Sequence, residues 1–170
     1  MLEVFPIDPD AHPNFADRFI YGVHNGTDIF APADSAVFAV TSGTARNATD
    51  TKGGNVVYLT GSDGRVYYYA HLSHWAYEES PRKVEAGDLI GYVGTTGNAK
   101  GRPPHVHFEI KTPTVGPIDP FPELAAIAPP HSVIQPKGPS SSTPISSSAP
   151  LAAAGSGIAW LLLLLLLWRK

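Results

Sequence analysis

Cysteine is absent from the 170 residues. That excludes a disulfide framework, a thiolate metal site and a cysteine nucleophile together. Any metal held by this chain must therefore be held by imidazole and carboxylate. Charge is sparse as well: Asp, Glu, Lys and Arg make up 16% of the residues and leave a net charge of −3. There is no long basic run and no interleaving of aromatic with basic residues, so no nucleic-acid partner is expected. The opening stretch MLEVFPIDPD has neither a basic n-region nor an apolar run and does not read as a secretory signal.

What is present suits one domain with further segments: 43% of the residues are hydrophobic, enough for a packed core. Composition shifts near residue 128. Residues 1–128 carry nearly all the charge and the alternating apolar pattern, and are expected to fold. Residues 129–150 (PPHSVIQPKGPSSSTPISSSAP) have too few large side chains to offset ordering entropy, and are expected to be a flexible linker. Residues 151–170 are expected to form a C-terminal hydrophobic helix, with unbroken leucine from Leu161 to Leu167. At 1.5 Å per residue its apolar part spans roughly 27 Å, close to a hydrocarbon core. It reads either as a transmembrane anchor or as a sorting segment removed after export. Trp160 and Trp168 suit membrane interfaces, and Arg169 and Lys170 favour a cytoplasmic end. The folded domain would then lie on the outer, periplasmic or extracellular side of a cell envelope.

Within the first 128 residues the local signals are those of strands. TDIFAP, AVFAVTSG, NVVYLTG, RVYYYAHLS, DLIGYVG and HVHFEI are short, rich in β-branched or aromatic residues, and bounded by Gly, Pro, Asn or Asp. Gly61-Ser62-Asp63-Gly64 reads as a hairpin turn. Helical turns are expected only near residues 74–79 and 122–128. The fold class is all-β, with mostly antiparallel sheets forming a sandwich or a rolled sheet with a groove.

Three stretches carry chemistry. In His105-Val106-His107-Phe108-Glu109-Ile110, strand alternation puts His105, His107 and Glu109 on one face and the apolar residues on the other. The two imidazoles stand about 6.6 Å apart along the strand, which suits one binding a metal while the other reaches a water; two merely exposed histidines are the plain alternative. In His24-Asn25-Gly26-Thr27-Asp28 an extended chain would hold the end residues roughly 13 Å apart. Gly26 is expected to relieve this through a positive φ; an Asp capping a turn is the alternative. Third, alternation along residues 65–71 puts His71 on the face of Tyr67 and Tyr69, and a lone histidine there is more often a surface residue than a catalyst.

Taken in order, H-x-G-x-D, Y-Y-A-H-L-S and G-x-x-G-x-x-x-G-x-P-P-H-x-H-F-E-I resemble the lysostaphin-type peptidoglycan metalloendopeptidases. The likeness runs from about Phe15 to Leu124. It implies that His24, Asp28 and His107 are zinc ligands and that His71 and His105 are catalytic. Three protein ligands would leave the fourth zinc position to water. His105 would serve as general base, and His71 would bind the oxyanion or orient the water. The family cuts glycine bridges or D-amino-acid stem peptides, so the expected function is zinc-dependent hydrolysis of peptidoglycan peptides. One departure is that the basic residue many relatives carry before the first ligand is replaced by Ile20-Tyr21-Gly22-Val23. Glu109 is assigned no role, and His12, His74 and His131 are read as surface residues. The loop from Thr95 to Pro104 is expected to form one wall of a narrow groove. A non-catalytic regulator of wall hydrolases is the alternative on the same fold. A biotinyl- or lipoyl-type carrier is disfavoured, because Lys52 sits in a Gly-rich turn without a neighbouring Met.

Overall fold

The computed structural model describes residues 1–135 apart from Asp17. The expected hydrophobic segment at 151–170, and the linker beyond residue 135, lie outside the described residues. Among the described residues no helix is long and apolar enough to cross a membrane.

The strands are β1 (Asn14–Ala16), β2 (Thr27–Phe30), β3 (Ala36–Phe38), β4 (Gly43–Asp50), β5 (Gly54–Gly61), β6 (Val66–Leu72), β7 (Arg82–Val84), β8 (Leu89–Tyr92), β9 (His105–Thr112), β10 (Gly116–Ile118) and β11 (Val133–Gln135). The larger sheet runs β11-β1-β2-β9-β6-β5-β4-β7, with β10 also paired to β9; β3 and β8 form a second, two-stranded sheet. Neighbours are antiparallel except β1 and β11, which are parallel. The fold is all-β and mostly antiparallel, as the alternation predicts.

Alternation also locates the core. Val106, Phe108 and Ile110 of β9, Tyr67 and Tyr69 of β6, Leu59 of β5 and Ile29 of β2 are fully buried on one face, and Val37 and Ile90 of the small sheet join them. Phe108 lies against Tyr67 and Tyr69, with ring centroids 6.3 and 5.2 Å apart. Burying a large apolar side chain contributes about 1.5–3 kcal/mol, so this face holds the central strands rigid. The buried Tyr69 hydroxyl accepts a 3.0 Å hydrogen bond from the Val40 amide.

Three details differ from the sequence reading. β4 (GTARNATD) is polar and only Ala45 is buried, yet it pairs with β5 from Gly43 to Asp50 and with β7 on its other edge. Residues 74–79 are not helical, because Trp75 bridges to Gly91 and its indole N–H donates to the Val56 carbonyl at 3.0 Å. The only α-helix among the described residues is α1 (Phe121–Ala126). Past residue 128 the chain makes a turn and then β11, paired with β1, so the first part of the Pro/Ser stretch joins the sheet edge.

Candidate metal centre and cleft

The opposite face of the same strands is polar. The β2–β9 register sets Asp28 directly across from His107. His24 reaches them from a tight hairpin in which Ile20 and His24 exchange backbone hydrogen bonds of 2.8 Å, with Gly22 at φ +76° in the turn. The chain bends at Gly26, but not through the positive φ expected there: Gly26 is absent from the positive-φ residues. It must be glycine for another reason. A Cβ at residue 26 would collide with the Phe108 carbonyl and press on the Glu109 side chain and the His107 ring.

One ligand atom from each of His24, Asp28 and His107 lies within 4.8 Å of the others. Asp28 Oδ1 is 3.1 Å from His24 Nε2 and 2.8 Å from His107 Nδ1. Each ring turns its other nitrogen outward to a fixed acceptor. His24 Nδ1 donates to the Arg18 carbonyl at 3.2 Å, and His107 Nε2 to Glu109 Oε1 at 3.1 Å. These acceptors fix the rings so that His24 Nε2 and His107 Nδ1 face Asp28 Oδ1; without a metal these nitrogens are its hydrogen-bond partners, and loss of the shared hydrogen frees an inward lone pair for an ion. Two imidazoles and a carboxylate are the donor set of a catalytic zinc site, so these residues fit the ion.

Electrostatics agree with that use. Burial alone would raise the Asp28 carboxyl, but hydrogen bonds from His107 and His24 outweigh it and hold it far below the usual carboxylate range. Burial opposes charge on His107, yet the Asp28 and Glu109 carboxylates push it up to about 9 without a metal. Glu109 is likewise lowered against its burial by His107 and Lys111, whose ammonium is 2.8 Å away.

His71 and His105 flank the trio. Their ring centroids are 4.9 Å apart, and His105 Nε2 is 4.0 Å from Asp28 Oδ1. Strict alternation puts His71 on the core face with Tyr67 and Tyr69, and here the structure corrects the sequence. Between Tyr69 and Leu72, β6 carries one more residue than β5 does between Val57 and Asn55, and His71 adopts φ +66°. This bulge returns Leu72 to the core and turns His71 to the cleft side. His71 Nδ1 donates to the Thr96 carbonyl at 3.0 Å, and His105 Nδ1 to the Pro103 carbonyl at 2.8 Å, so again each ring keeps Nε2 as its free lone pair. Burial and the neighbouring His105 push the His71 pKa down, which opposes the charged form.

Around these residues lies a cleft of about 450 Å³, lined also by Val23 and Asn25 beside the hairpin, Lys52 and Gly53 from the β4–β5 turn, and Asn98, Ala99 and Arg102 from the Thr95–Pro104 loop. That loop is locked to the β4–β5 turn: the Asn98 amide donates to the Lys52 carbonyl at 2.9 Å and the Asn55 amide to Thr96 Oγ1 at 2.9 Å. Gly54 (φ +67°) and Gly97 (φ +66°) allow the approach, since a Cβ on either would strike the other loop's backbone.

Comparison with known proteins settles the lineage. The model of Peptidase family M23 matches residues 22–120, more than half the chain and all five residues just described. The chain belongs to peptidase family M23. As an M23 protein it is 33% identical over 135 residues to the DD-carboxypeptidase/endopeptidase Mpg of Neisseria meningitidis serogroup B, covering 71% of this chain and 30% of that one. It is 36% identical over 94 residues to the glycyl-glycine endopeptidase ALE-1 of Staphylococcus capitis, covering 54% of this chain and 25% of the relative. The catalytic domain of the antimicrobial peptidase lysostaphin from Staphylococcus simulans superposes with a TM-score of 0.55 at 30% identity, over 65% of this chain and 88% of that domain. The chain thus spans less than a third of the curated relatives' length.

All five site residues inferred from the sequence meet in this M23 cleft. His12, His74 and His131 are exposed and outside it, as read. Glu109 was legible but left without a role: the alternation in HVHFE already put it beside His107. Tyr58, Tyr68, Lys52, Arg102 and Lys111 also line the cleft; they come from β5, β6, the β4–β5 turn, the Thr95–Pro104 loop and β9, and no spacing in the sequence links them.

Proposed function

We propose that this chain is a zinc-dependent endopeptidase that hydrolyses peptide bonds in bacterial peptidoglycan, with His24, Asp28 and His107 as ligands. The observation that carries the proposal is the convergence of His24 Nε2, Asp28 Oδ1 and His107 Nδ1. The second nitrogen of each ligating ring is tied to an acceptor behind it. The relatives named as endopeptidases support the reaction class.

Zinc bound by these three would supply a Lewis acid that polarises the scissile carbonyl and lowers the pKa of water. His105, with Nδ1 tied to the Pro103 carbonyl and Nε2 turned to the cleft, accepts the proton of the attacking water and returns it to the leaving amine. His71 works from the same side as a neutral imidazole. It orients the attacking water through Nε2, its Nδ1–H being tied to the Thr96 carbonyl. Glu109 fixes the His107 ring. The fully buried apolar face behind β6 and β9 keeps these groups from relaxing apart.

The Leu-rich segment at 151–170 is proposed to attach the enzyme to the membrane with the catalytic domain on the outer side, and the Pro/Ser stretch to give it reach into the wall. The test is mass spectrometry of fragments released from purified peptidoglycan by the zinc-loaded chain. New amino termini that vanish on chelation and return with zinc are expected. Intact wall peptides under both conditions would overturn the proposal.

A further inference from the structure

The ionisable residues that line the cleft are unequally committed. Its two carboxylates are both engaged: Asp28 with His24 and His107, and Glu109 with His107 and Lys111. Of its three cations, Lys111 is paired with Glu109 and lies 4.6 Å from the Tyr68 ring centroid. Lys52 and Arg102 have no such tie. Among the described residues neither side chain enters an ion pair or a cation–π contact, although both are exposed at the cleft rim. The chain as a whole is acidic, at −3, so two idle cations beside one cleft run against the overall balance.

Both cations stand on ordered backbone. The Lys52 carbonyl accepts from the Asn98 amide at 2.9 Å, Gly53 is held by the Asp50 carboxylate, and the Arg102 amide donates to the Ala99 carbonyl at 3.0 Å beside the buried Ala99 side chain. They also share one side. Lys52 lies between β4 and β5, whereas His24 and Val23 precede β2, and β6 and β9 intervene in the sheet. A peptide crossing the metal centre therefore passes a cationic wall on one side and the hairpin of Gly22 and Val23 on the other.

Resting on the peptidase reading, we infer that Lys52 and Arg102 select peptides bearing a free carboxylate close to the scissile bond, over neutral peptides such as amidated stems or glycine bridges. Arg102 offers a planar fork and Lys52 a point charge, which together suit a carboxylate on a flexible chain. Because both groups are exposed, the selection is modest and weakens with salt.

The experiment compares one synthetic stem pentapeptide, ending in D-Ala-D-Ala, with its derivative in which every carboxylate is a carboxamide. Binding is measured by calorimetry and turnover by chromatography on the zinc-loaded full chain at low and high salt. The acid form is expected to bind about tenfold more tightly at low salt, with the ratio narrowing at high salt and the difference carried by KM rather than kcat. In Lys52→Ala/Arg102→Ala the ratio should drop below about twofold, and in Lys52→Glu/Arg102→Glu it should invert. Equal binding of the two peptides by the unaltered chain would overturn the inference. So would an unchanged ratio in variants of normal zinc content. Preferential binding with no hydrolysis of either peptide would instead sink the peptidase reading and leave the carboxylate selection standing.

Discussion

Two groups of charged side chains stand in the same domain and differ in how their hydrogens are directed. In the first, near the start of β6, Arg65 donates to Asp63 and Glu123 at 2.7 Å each, the Tyr67 hydroxyl donates to Asp63 at 2.7 Å, and Glu123 accepts from the Leu2 amide at 3.1 Å. Apart from Arg65 Nη2, which is buried without a partner, donors meet acceptors within the group, and this ties α1 and the N-terminal residues to the sheet. In the second, near the other end of β6 and across β9 and β2, four imidazoles send their N–H hydrogens outward to the Arg18, Thr96 and Pro103 carbonyls and to Glu109. Their second nitrogens face inward with Asp28, and those of His24 and His107 meet its Oδ1. A structural network consumes its own hydrogen-bonding capacity; a site for a cation gathers acceptors and points the donors away. Residue type alone does not separate the two groups, but the direction of the hydrogens does.

Substitutions test this contrast, the strongest first. His107→Ala removes one of the three inward donors and should abolish both stoichiometric zinc and turnover; near-normal zinc by elemental analysis would break the assignment. His105→Ala should keep zinc and lose about 10²–10⁴-fold in kcat, and comparable turnover would remove it as the base. Glu109→Gln leaves the ligands in place and weakens the acceptor behind His107. It should lower zinc affinity about 10–100-fold in a competition titration with a chelator.

A pH scan sharpens the same contrast. In the metal-free protein His107 is raised from 6.5 to about 9. Its stabilising contribution is therefore complete below the ordinary histidine value and is lost as pH climbs through about 9. Zinc displaces that proton, so the melting temperature of the chelated protein should fall between about pH 6.5 and 9 while that of the zinc-loaded protein lacks this decline. The smallest effect belongs to the structural cluster. Glu123→Gln should cost about 1 kcal/mol in denaturant unfolding and leave zinc binding unchanged; a loss of zinc would erase the distinction between the two groups.

How much of this was readable from the sequence depended on whether a local rule decided the matter. Alternation in HVHFEI places both histidines and Glu109 on one face, and the structure has them there. The pairing of Asp28 with His107 is a matter of register between distant strands, which no local pattern specifies; it was reached through resemblance to a family. Period-two counting put His71 on the face of Tyr67 and Tyr69, a face the structure buries; it cannot anticipate an extra residue, and the bulge that turns His71 is visible only once β5 and β6 are paired. Gly26 was recognised as necessary for the wrong reason: its role is close approach to β9, not an unusual φ. The polar β4 was missed because it is stabilised by neighbours on both edges rather than by its own side chains. Lys52 and Arg102 carry no signal at all until folding brings two loops together.

The central claim is that His24 Nε2, Asp28 Oδ1 and His107 Nδ1 bind one ion. Crystallography of the zinc-loaded protein, with anomalous data on both sides of the zinc edge, addresses it directly. The account predicts a single strong anomalous peak about 2.0–2.2 Å from each of those three atoms. A peak elsewhere in the domain, or one touching only one of the three side chains, would contradict it.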